Sequence, residues 1–173
     1  MDAITLPILL TSAVLAAILT GTINILLAWR KSREEERSRV RTVFAEAFAA
    51  YAEYKEYPYV IRRRNIEKPG EERVRISEQI RQTQEHLNYY LAWTRAESDD
   101  VGRAYDALIE QVRASAGVAM KEAWQQPAIA EDAAMIIPSS QVDLGSLKTY
   151  EAAYTTAVGK HLKKLSSWWS KKR

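Results

Sequence analysis

Residues 3–29 read AITLPILLTSAVLAAILTGTINILLAW, and residues 30–41 read RKSREEERSRVR. The first stretch carries no charge and the second is mostly charge. About 20 apolar residues cover the hydrocarbon of a bilayer as a helix. Leu6 to Trp29 would extend roughly 36 Å at about 1.5 Å per residue, enough to cross with some tilt. Pro7 falls in the first turn, where a missing N–H matters little. A cleaved signal peptide would show a basic leader, a shorter apolar run and a small-residue cleavage site. Here the leader is acidic and the run is longer. The expectation is an uncleaved transmembrane anchor over 1–29.

Orientation follows from the lysine and arginine bias. Arg30, Lys31, Arg33, Arg37, Arg39 and Arg41 lie just after the run, and none lies before it. The short N-terminus is expected outside a plasma (inner) membrane, and the C-terminal domain in the cytoplasm. The complete lack of cysteine agrees with a reducing compartment. Trp29, Arg30, Lys31 and Arg33 suit lipid headgroups, each basic residue contributing about 1 kcal/mol near an anionic surface. Within the run, Ala13, Ala17, Gly21, Asn24 and Ala28 form one stripe. Such spacing lets helices approach closely, and an Asn amide can bond across the contact or to its own backbone. The stripe is read as a helix–helix interface in the membrane.

The remainder divides into a basic juxtamembrane helix, 30–41, and a helical bundle, 42–173. The whole chain carries +3. Asp2 is the only charge before residue 30, so 30–173 carries +4, too little to call for nucleic acid. Apolar residues follow helical spacing throughout. Val40, Val43, Phe44, Ala47, Phe48, Tyr51 and Tyr54 mark a first helix that continues from the anchor and kinks or ends at Pro58. Tyr57 to Gly70 reads as a connection. A second helix, about Glu71 to Ala96, has the seam Ile76, Ile80, Thr83, Leu87, Tyr90 and Thr94. Ser98 reads as the N-cap of a third helix, with Asp99 and Asp100 at its positive end and Pro127 past its other end. A fourth begins near Ser146, with Leu147, Tyr150, Ala153, Tyr154, Ala157, Val158, His161, Leu162, Leu165 and Trp168 on one face. No stretch alternates with period two. The fold expected is all-α: one N-terminal transmembrane helix continuing into a cytoplasmic up-down bundle of about four helices.

The link at about 127–145 is long and contains Met135, Ile136 and Ile137. Long connections of this kind are often functional. These three residues either pack across the open end of the bundle or form a partner-docking loop. The C-terminus, LKKLSSWWSKKR, places Trp168 and Trp169 beside Lys171 and Lys172, a composition suited to lipid headgroups, although Trp168 could instead close the core. Arg62-Arg63-Arg64, with Tyr57 and Tyr59 nearby, could touch phosphate or lipid or stay solvated.

No recognisable chemistry appears. Without cysteine there is no thiol catalysis or Cys-zinc site. His86 and His161 are the only histidines. Neither lies in H-E-x-x-H, and Thr83 and Val158 stand where a di-iron bundle would need glutamate. No phosphate-binding or dinucleotide-binding glycine motif and no nucleophile elbow occurs. Ser139 and Ser140 have no adjacent histidine. Neither catalytic nor cofactor-binding residues, nor metal ligands, are expected.

The texture of the chain is an anchor, then an Arg/Glu-rich stretch, then Ala- and Tyr-rich helices. It resembles small single-pass membrane proteins of high-GC Gram-positive bacteria and their phages. That resemblance implies a bacterial membrane or a phage origin and no function. The function expected is a non-enzymatic, membrane-anchored scaffold or regulator. It would recruit a protein partner, or a second copy, to the inner leaflet by raising local concentration. The alternative is an oligomeric membrane-acting effector in lysis, toxicity or phage exclusion.

Overall fold

The computed structural model describes the backbone of residues 5–167 and the side chains of residues 20–165. Within them the chain is all-α. Its helices are α1 (Thr5–Arg62), α2 (Pro69–Glu97), α3 (Asp99–Gln125) and α4 (Leu147–Ser167), with a single 3-10 turn at Asp132–Ala134. Two compact units result, 1–39 and 40–173.

In the first unit the described side chains lie almost wholly in the open. Ile23, Ile25, Leu26, Leu27 and Trp29 are 49–61% exposed. Among the described residues, no helix is long and apolar enough to cross a membrane. Of the uncharged run, only 20–29 has described side chains. That is about half of what a crossing needs. Ala13 and Ala17 lie outside the described residues, as do Trp168, Trp169, Lys171 and Lys172.

In the second unit α1 buries Val40, Phe44, Ala47, Tyr51, Tyr54, Tyr57 and Ile61. Steps of three and four residues keep these on one face. Of the two outcomes expected at Pro58, a kink or an end, the helix does not end there but continues through it to Arg62. Proline in a helix interior costs about 3 kcal/mol. Burial of Tyr57 and Ile61 on either side offsets that loss, so the connection shrinks to 63–68.

Helix α2 starts on Pro69, with Glu71 and Glu72 in its first turn. It turns Ile76, Thr83, Leu87 and Thr94 inward, the seam expected from its sequence. Its direction is opposite to that of α1: Thr83 bonds Tyr57, and Tyr90 near the other end bonds Glu46. Ser98 alone joins α2 to α3, and its Oγ accepts the Val101 N–H at 3.5 Å. Helix α3 is the most amphipathic and buries Val101, Tyr105, Leu108, Ile109, Val112, Ala116 and Ala123. Helix α4 reverses again. Ser146, just before it, sits by Ser115, while Lys164 near its end reaches Asp100. Ala153, expected inside, is exposed; Leu147 and Tyr154 are buried, and Tyr150, Ala157, Val158, Leu162 and Leu165 pack against the core.

Tyrosines build much of the core. Tyr51, Tyr105 and Tyr154 are almost inaccessible to water. A buried hydroxyl needs a partner. Tyr105 donates to the Ala47 carbonyl at 2.7 Å, and Tyr154 to the Phe44 carbonyl at 2.8 Å. Tyr51 donates to Glu151 at 2.7 Å. Burial pushes all three hydroxyls well above the ordinary tyrosine range, so they stay protonated donors. The hydroxyls of Tyr105 and Tyr154 therefore connect α3 and α4 to the backbone of α1, and that of Tyr51 connects α1 to a side chain of α4.

Candidate functional site

The long link is the most distinctive surface of the second unit, and its anchoring begins with the arginine cluster at the end of α1. Arg64 donates to the carbonyls of Ala123 (3.3 Å) and Gln126 (2.8 Å), the last turn of α3 and its C-cap. A helix C-terminus presents unpaired carbonyls with partial negative charge, which a guanidinium fork suits. The same guanidinium lies 5.2 Å from the Trp124 ring centre. Arg62 donates to the Pro127 carbonyl at 3.0 Å. Arg63 donates twice to the Met135 carbonyl, at 3.0 and 3.2 Å. The Ile129 N–H donates to the Arg62 carbonyl at 2.9 Å. The cluster, for which the sequence left phosphate contact, lipid contact or solvation open, therefore tethers the loop.

Further along, Val142 and Leu144 are buried. Ile137 packs against the core, Met135 lies at the rim, and Ile136 is 86% exposed. A loop tied by three arginines and two buried aliphatics thus presents Ile136, and to a lesser degree Met135, to solvent. Sequence reasoning missed the tethers because nothing in an Arg-Arg-Arg run says which carbonyls it will meet.

A second feature is an open groove of about 580 Å³ where α4 passes the start of α3, lined in part by Ser98, Asp100, Lys160, His161 and Lys164. The His161 ring stands edge-on to Phe44 at 5.7 Å, with Nε2 3.4 Å from Glu97. Ser98 serves as the α3 cap, and no hydrogen bond joins it to His161 among the described residues. Among the described residues no group of three acids or histidines could hold a metal ion. The perturbed side chains also have structural causes: Glu151 is held below the ordinary carboxylate value, first by the Lys55 ammonium and then by Tyr51.

A third surface is an aromatic edge on α2, where Tyr89 meets Tyr90 and Trp93 edge-on at 5.1 and 6.3 Å. Tyr89 is 55% and Trp93 42% exposed. Of the residues expected in the membrane interface, Gly21 is half-buried, while Asn24 and Ala28 are exposed. Trp29, Arg30, Lys31 and Arg33, expected at headgroups, are exposed as well. Comparison with family models, characterised proteins and solved structures finds no match to this chain.

Proposed function

We propose that this chain is a non-enzymatic, membrane-anchored interaction protein. Its second unit would recruit or regulate a protein partner at the inner leaflet of a plasma membrane. The observation that carries the reading is the uncharged run 3–29 with its basic flank. Helix α1 runs from Thr5 to Arg62 and so leads from that run directly into the second unit. Hydrophobicity would hold the anchor, and the flanking lysine and arginines would orient it. Headgroup contact by Trp29 and its basic neighbours, and by the Trp168–Lys172 tail, belongs to the same proposal. Within the second unit, the tethered loop supports partner docking, since Ile136 is offered to solvent on an ordered support. Tethering would raise the effective concentration of any partner at the surface.

The test is alkaline carbonate extraction of membranes carrying the full chain, followed by protease digestion from each side. Retention in the pellet, with the C-terminal part cleaved only from the cytoplasmic side, is the expected result. Release into the supernatant would overturn the anchor. Partner docking is read by in-membrane crosslinking of the wild type against Ile136→Asp. An unchanged set of crosslinked partners would refute the role of the loop.

A further inference from the structure

Helix α4 is covered on one side only. Thr149, Ala153, Thr156, Lys160 and Lys163 are all exposed. They follow one another in alternate steps of four and three, which keeps them on one strip of the helix. The strip extends about 21 Å, some four turns, at about 1.5 Å per residue. Its first four members line the groove of about 580 Å³, and Ser98 and Asp100 at the start of α3 line the same groove. Every one of these residues belongs to the second unit. The helical side of the groove is alanine and threonine, so its space suits bulky side chains brought by another chain. Charge narrows the choice further. The acids at this end are already engaged: Asp100 pairs with Arg103 and lies 3.8 Å from Lys164, and Glu97 lies 3.4 Å from His161. Lys160 and Lys163 form neither an ion pair nor a hydrogen bond among the described residues. The uncompensated charge along the strip is therefore positive.

We propose that this groove docks an amphipathic helix of another protein, with large aliphatic side chains over Ala153 and carboxylates facing Lys160 and Lys163. An apolar helix face laid into a groove, with opposite charges at its edge, is a common mode of recognition. An anionic bilayer would also attract the lysines. Yet a flat surface does not fill a groove, and alanine and threonine offer it no large side chain to insert. The surface is separate from the loop around Ile136, and its occupancy does not depend on the anchor.

The chain has no cysteine, so Thr156→Cys carries a single bimane label in the groove. The full chain is held in dodecylmaltoside micelles. The probe is a synthetic helical peptide of about 15 residues, long enough to cover the strip, with leucine at three/four spacing and glutamate between. A saturable blue shift is expected, with binding about tenfold tighter than for the same peptide with lysine at every glutamate. Ala153→Trp, which fills the groove, should abolish the shift. Lys160→Glu with Lys163→Glu should reverse the preference between the two peptides. Both sites are exposed, so helicity by circular dichroism and Tm should stay at the wild-type values. Ile136→Asp should leave binding unchanged. No saturable shift, equal binding of the two peptides, or indifference to Ala153→Trp would each overturn the proposal. Loss of binding with Ile136→Asp would move the peptide to the loop and overturn it too. A shift on phosphatidylglycerol vesicles without peptide would assign the strip to lipid, and one on concentrating the protein alone would assign it to a second copy; either result overturns the proposal.

Discussion

Gly102→Ala should destabilise this protein, although alanine is the better helix former. Gly102 is fully buried in the first turns of α3, and its N–H donates to the Ser98 carbonyl at 2.8 Å. A Cβ placed there would lie 2.6 Å from Cγ, 2.7 Å from Cα and 3.0 Å from N of Arg95. Carbon atoms pack at about 3.5–4.0 Å, so the methyl group would press on the α2 backbone itself. Only Ser98 links the two helices, which leaves little slack for them to part. Moving them apart would also strain the Ser98 cap and the Arg95–Asp106 ion pair. Helix propensity favours alanine by about 1 kcal/mol. Overpacking costs up to about 3 kcal/mol and a disturbed cap about 1 kcal/mol more. The net loss should be about 2–3 kcal/mol, lowering Tm by roughly 8–10 °C. Gly117, in the same helix, has nothing within 4 Å of its would-be Cβ. There alanine should stabilise by about 0.5–1 kcal/mol. Urea and thermal unfolding of the full-length variants, followed by circular dichroism, read both signs. If Gly102→Ala proves as stable as Gly117→Ala, the close approach of α2 and α3 is wrong.

The Glu151 carboxyl, lowered by Lys55 and Tyr51, stabilises the fold fully above the unfolded-state value of about 4.3 and loses that contribution as pH falls through the lower folded value. Glu151→Gln should therefore reduce stability at neutral pH by about 1 kcal/mol and flatten its decline below about pH 4; an acid profile parallel to wild type would refute this. Arg64→Lys keeps the charge but loses the fork that spans Ala123 and Gln126. Hydrogen exchange should therefore quicken over 123–137, and unchanged protection there would refute the tether. Ile136→Asp should change stability by less than about 0.5 kcal/mol, while Ile137→Asp should lose about 2 kcal/mol by placing a carboxylate against the core. Similar urea midpoints for the two would overturn the inward and outward assignment.

The helical character, the seam of α2 and the Ser98 cap were legible in the sequence. They depend on spacing and on local hydrogen bonding, which numbering alone conveys. The long link was legible from its prolines and its break in period. The connection was expected from Tyr57 and starts only after Arg62, because the local penalty of Pro58 is visible in sequence whereas the burial of Tyr57 and Ile61 that outweighs it is not. Nor were the tethers of Arg62, Arg63 and Arg64, since their acceptors lie on α3 and the loop some sixty to seventy residues away. The chain has nine tyrosines and two phenylalanines, and a buried tyrosine needs a partner for its hydroxyl. Only tertiary packing decided that Tyr105 and Tyr154 would meet those needs on the backbone of α1. Periodicity determines which face of each helix is apolar; which partner covers that face, and which carbonyl receives each buried donor, depends on contacts between residues far apart in the chain.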